Sequence, residues 1–129
     1  MDFVSFEIAK KLKEKGFREK VNAYYGKYEN IFDVHPALDM NDADYRASAP
    51  TISQVLKWLR EEKKISLEIC IHCSLKWVYT IFAFDDGLFM DYTPYLDDID
   101  VINDTIYELY DSYEEAALVG IEYVLDNLI

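Results

Sequence analysis

No lysine or arginine follows Lys76. All 13 basic side chains lie in residues 1–76, beside 12 of the 25 acids, so the formal charge of −12 belongs almost wholly to the remaining 53 residues. That half cannot neutralise phosphate, which excludes it as a surface for nucleic acid or an anionic membrane. Glycine is scarce, with four in 129 residues. No phosphate loop, dinucleotide fingerprint or nucleophile elbow occurs. Two cysteines, Cys70 and Cys73, are too few for a disulfide framework and point to a reducing cytoplasm. No apolar run approaches the roughly 20 residues of a membrane span. No basic segment precedes an apolar one at the start, so no signal peptide is expected.

Apolar residues are plentiful. At 51% hydrophobic and 16% aromatic, the chain can bury a real core despite its charge. Its length predicts one globular domain over 1–129.

Periodicity divides the chain into elements. Residues 5–15 predict a helix with Ile8, Ala9 and Leu12 on one face and Gly16 as its stop. Residues 21–25 read as a strand, with 28–34 as its hairpin partner. Residues 35–50 show no period and predict a long, mobile loop. Thr51 and Gln54 form a capping box ahead of Ile52, Val55, Leu56 and Leu59 at helical spacing. The period then falls to 2, with Ile65, Leu67, Ile69 and Ile71 alternating with polar residues and cysteine in a half-buried strand. Residues 77–84 are apolar on both faces and predict its partner. Asp86-Gly87 is a hairpin turn leading to a strand near 88–92. Residues 103–110 fit either a short strand or a helical turn. Ser112 and Glu115 open a last helix, where Gly120 costs about 1 kcal/mol relative to alanine and so implies close packing. The fold class is α+β: an antiparallel sheet of three to five strands with two or three helices, mainly on one face.

The chemistry-bearing residues have plain structural readings. Cys70-Ile71-His72-Cys73 is half a zinc set, and His35 is the only other histidine. A loop counted from Asp98 puts Asn103 where calcium loops need glycine and Leu109 where they need glutamate. The lysines of residues 10–20 alternate with Glu14 and Glu19, as on the wet face of a helix. No catalytic, cofactor-binding or metal-ligating set is expected.

What remains is acid mixed with tyrosine. Asp91, Tyr92, Tyr95, Asp97, Asp98, Asp100, Asp104 and Tyr107 form the candidate interaction surface. Tyrosine supplies contact area at low entropic cost, and carboxylates favour a partner protein with a basic surface.

Three blocks, FEIAKKLKEKGF (6–17), APTISQVLKWLRE (49–61) and SYEEA (112–116) with Gly120-Ile121 and Leu125, carry a family resemblance. Their order and spacing resemble small proteins of Bacteroides-type bacteria, carried by prophages and other mobile elements and without established activity. The resemblance implies a bacterial cytoplasmic protein of mobile-element origin. The expected function is a non-enzymatic acidic domain that binds a basic protein. Alternatives are a DNA mimic that blocks a host DNA-binding protein, an antitoxin-like regulatory subunit, and an enzyme with a carboxylate site.

Overall fold

The computed structural model describes residues 2–96 and 106–129. Helix α1 (Phe6–Glu14) starts where Ser5 Oγ accepts the Ile8 N–H at 3.3 Å. It ends on Gly16 at φ 87°, with the Gly16 N–H donating to the Lys13 carbonyl and the Phe17 N–H to that of Leu12. This left-handed close turns Phe17 inward against Trp58, ring centroids 5.3 Å apart.

Strands β1 (Val21–Tyr25), β2 (Ile31–Leu38) and β3 (Ala47–Ser48) form a first antiparallel sheet in the order β2-β1-β3. Here two expectations are corrected. The partner of β1 begins at Ile31, because residues 27–30 make the turn, closed by the Gly26 N–H on the Asn30 carbonyl at 2.8 Å. The stretch 35–50 is not one long loop. β2 continues through Pro36 to Leu38, and β3 pairs Tyr24 with Ser48 and Tyr25 with Ala47. An edge strand tolerates proline, which removes a donor no neighbour needs. The loop left between β2 and β3 is tied down. Asn41 Nδ2 donates to the Phe17 carbonyl at 2.7 Å, the Ser48 N–H to Asn41 Oδ1 at 2.8 Å, and the Met40 N–H to Ser48 Oγ at 3.0 Å. Lys13 Nζ donates to the carbonyls of Ala43 and Arg46. Such side-chain partners for the main chain leave no hydrophobic period to read.

Helix α2 (Ile52–Glu62) carries the full capping box, Thr51 and Gln54 bonding each other's main chain. It buries Ile52, Val55, Leu56, Trp58 and Leu59. Strands β4 (Ile65–Ile71), β5 (Trp77–Asp85) and β6 (Leu88–Asp91) make a second antiparallel sheet in sequence order. Tyr110 returns to the edge of β5 beyond β6, exchanging main-chain bonds with Trp77 at 2.8 and 2.9 Å. Helix α3 (Tyr113–Asn127) opens with Ser112 Oγ accepting the Glu115 N–H.

The α+β class therefore holds, with the strands divided between two three-stranded sheets. One apolar cluster runs through both sheets and all three helices, including Leu12, Phe17, Val21, Leu59, Ile81, Ile121 and Leu125. Gly120 packs closely against it: a Cβ there would sit 3.0 Å from Leu67 Cδ1 and 3.1 Å from Tyr79 Cγ. Among the described residues no helix is long and apolar enough to cross a membrane.

Candidate interaction surface

The β5–β6 hairpin is built by its turn. Asp86 and Gly87 both take positive φ, 49° and 81°, as a two-residue hairpin loop requires. The register follows: Asp85 faces Leu88, Phe84 faces Phe89, Ala83 faces Met90 and Phe82 faces Asp91. Partners directly opposite share a sheet face, so Phe82, Phe84, Phe89 and Asp91 lie together. The other face holds Leu67, Tyr79 and Ile81 against the core, with Gly120 of α3 packed on Leu67 and Tyr79.

Toward its turn the hairpin outruns that core, and its apolar side chains emerge on both faces. Phe84 is 67% exposed, Leu88 66%, Phe89 62% and Met90 39%. Phe82 and Phe89 stack at 5.1 Å, and Phe84 meets Phe89 edge-on at 5.4 Å. A groove of about 210 Å³ runs from these rings to Arg60 and Lys64. Carboxylates border the cluster along β6, Asp85 and Asp86 at the turn and Asp91 at the far end, while Arg60 and Lys64 lie across the groove. No cationic side chain pairs with these three acids among the described residues.

The tyrosines continue the surface. Tyr95 donates its phenol proton to Asp91 Oδ2 at 2.6 Å, and the Thr93 N–H donates to Asp91 Oδ1 at 2.9 Å. That bond, then burial, pushes the Tyr95 phenol up to about 12. Burial opposes ionisation of Asp91, yet the bonds from Tyr95 and Thr93 prevail and hold its carboxyl below the ordinary carboxylate value. Tyr92 is half-buried and reaches Asp85 Oδ2 at 3.3 Å. Burial first, and then the Asp85 charge, raises its phenol. The rings of Tyr95 and Tyr107 lie 5.4 Å apart, and Tyr107 lies edge-on to His72 at 6.5 Å.

The structure thus joins Asp91, Tyr92, Tyr95 and Tyr107 in one region. Asp97, Asp98, Asp100 and Asp104 lie outside the described residues. Tyr110 lies apart from this surface. It is buried, its ring lies 6.0 Å from that of Tyr79, and burial followed by the neighbouring Tyr79 raises its phenol. Sequence reasoning missed Phe84, Leu88, Phe89 and Met90. Their signal was present: the stretch 77–84 is apolar on both faces, and three of four β6 residues are apolar. Nothing in that pattern says which neighbours fail to cover them.

Elsewhere the chemistry is quiet. Cys70 and Cys73 are exposed free thiols. His72 Nδ1 engages Ser74, 2.8 Å from its hydroxyl. Among the described residues no group of three or more His, Cys, Asp or Glu is placed to hold a metal ion. No protein-family model, curated protein or solved structure matches the chain.

Proposed function

We propose that this chain is a non-enzymatic protein-interaction domain that binds a partner with a basic surface through the β5–β6 hairpin and the adjoining tyrosines. One observation carries the reading: Phe84, Leu88, Phe89 and Met90 stand exposed in a single hairpin bordered by Asp85, Asp86 and Asp91. An apolar centre with a charged rim is the anatomy of a protein interface. The apolar centre supplies affinity, and the acids speed and orient the encounter with a cationic partner. A cytoplasmic setting belongs to the same proposal, since exposed thiols such as Cys70 and Cys73 stay reduced there. So does the mobile-element origin that the family resemblance implies.

The DNA-mimic reading draws less support. Phosphates present no counterpart to stacked phenylalanines. Asp111, Glu122 and Asp126 are engaged by Lys76 and Lys11, which withdraws them from any run of free charge.

The test is capture of a partner from host cytosol by the tagged protein, washed at low and high salt. Phe84→Ser and Phe89→Ser should each abolish capture while leaving the unfolding midpoint close to that of the parent, since both rings are mostly in water. Asp85→Asn with Asp86→Asn should weaken capture at low salt, and asparagine keeps the turn's positive φ accessible. A captured protein that ignores both phenylalanine variants would remove the hairpin from the interface.

A further inference from the structure

We propose that β6 accepts an extended segment of the partner as a fourth strand of the β4-β5-β6 sheet, a segment with apolar residues at its centre and Lys or Arg at both ends. This rests on the interaction reading above and specifies its mode.

The argument begins at the turn. In a two-residue hairpin the closing pair, here Asp85 and Leu88, is hydrogen-bonded, and bonded pairs then alternate along the ladder. Ala83–Met90 is the next bonded pair; beyond it Ile81 and Tyr92 share one main-chain bond, the Ile81 N–H turning to Thr93 Oγ1 at 2.8 Å. The Tyr92 N–H on the Ile81 carbonyl at 2.8 Å agrees with that phase. Leu88 and Met90 therefore spend their main-chain groups on β5. Those of Phe89 and Asp91 point outward, where no described strand pairs with them. An open edge of this kind is a template for another chain.

Natural edges usually carry a defence: proline, lysine or a bulge. β2, an edge of the first sheet, contains Pro36, and its pairing with β1 breaks register near Val21. β6 has none of these. Its register with β5 is regular, and its sequence is Leu88-Phe89-Met90-Asp91.

Charge decides between occupants. A second copy would bring Asp85, Asp86 and Asp91 of two chains together, each chain carrying −12. A segment with basic ends meets Asp91 at one end and the Asp85–Asp86 turn at the other. Its central residues face Leu88, Phe89 and Met90.

The experiment uses the whole protein and a fluorescent nonapeptide with the core Lys-Val-Ile-Val-Lys between Gly-Ser ends. Two further peptides carry backbone N-methyl groups, one on the first, third and fifth core residues and one on the second and fourth. A strand bonds its neighbour through one alternating set of amides. One methylated peptide should therefore bind roughly tenfold or more weakly, from the loss of one to three main-chain bonds, and the other should match the parent. Hydrogen exchange should slow at the Phe89 and Asp91 amides and stay unchanged at Leu88 and Met90. Equal binding by all three peptides, equal loss in both methylated ones, or no binding by any would overturn strand addition. If all three bind alike but Phe84→Ser and Phe89→Ser abolish that binding, strand addition falls and the interaction surface stands. If the peptides also ignore both variants, both readings fall. A protein that sediments as a dimer, with Phe89 and Asp91 amides already protected, would make a second copy the occupant and overturn the proposal.

Discussion

Asp91 accepts two hydrogen bonds, and the one from Tyr95 is bounded by a titration at each end of the pH range. Its own carboxyl is lowered, so the stability it adds is present above the ordinary aspartate value and lost as pH falls through the folded value. The Tyr95 phenol is raised, so its contribution is intact below 10.0 and lost as pH climbs through about 12. Tyr95→Phe removes the bond that connects them. In that variant the phenol that titrates near 12 should vanish from the 295 nm absorbance curve, while the more strongly raised Tyr110 phenol remains. By carboxyl NMR the Asp91 titration should move to higher pH. An Asp91 titration identical in the variant would show that Tyr95 does not donate to it in solution. That Asp91, Tyr92, Tyr95 and Tyr107 are candidates was legible from residue type. Their mutual bonds were not, because Asp91 and Tyr95 meet only where the chain leaves β6.

At the scale of elements, α3 and the second sheet meet through Gly120. Alanine there would gain about 1 kcal/mol of helix propensity. It would also drive a methyl group against Leu67 and Tyr79, both buried and unable to retreat into water. Overpacking of this kind costs about 1–3 kcal/mol. Gly120→Ala should therefore destabilise by about 1 kcal/mol in denaturant unfolding. In a Leu67→Ala background, which opens the space, the same change should turn neutral or stabilising. A Gly120→Ala protein more stable than the parent would mean that helix and sheet are looser than 3.0 Å implies. The glycine announced itself in sequence because a helix keeps such a residue at a cost; the residues it admits came only with the fold.

Across the whole molecule, folding brings the acidic half onto the basic one. Lys11 lies 3.0 Å from Asp126 and 3.4 Å from Glu122 of α3, Lys15 donates to the Ile129 carbonyl at 2.6 Å, and Lys76 pairs with Asp111. Exposed pairs of this kind contribute little. The excess of −12 is not removed, and among the described residues Asp85, Asp86 and Asp91 have no cationic partner. Repulsion should outweigh these pairs near neutral pH. Raising NaCl from about 20 mM to about 300 mM, which shortens the screening length severalfold, should then raise the thermal midpoint. A gain of roughly 2–4 °C corresponds to about 1 kcal/mol for a domain of this size. A midpoint that falls with salt would mean that the Lys11 and Lys76 contacts dominate the electrostatics.

Local signals were enough for the helices and for the second sheet. Ser5, Thr51 and Ser112 caps, the stop at Gly16, the alternation of 65–71 and the Asp86-Gly87 turn are all contained within a few consecutive residues, where propensity and hydrogen bonding act without distant help. The first sheet was only half legible. β2 and β3 are paired through β1, and the loop between them is secured by Lys13, Asn41 and Ser48, contacts between residues far apart in sequence. The charge split was written in the sequence as well. Which apolar residues stay uncovered was not, because burial depends on every element at once. Phe84 and Phe89 have the same side chain as Phe17; what differs is that α1 and α2 close over Phe17, while the β5–β6 hairpin extends beyond the core.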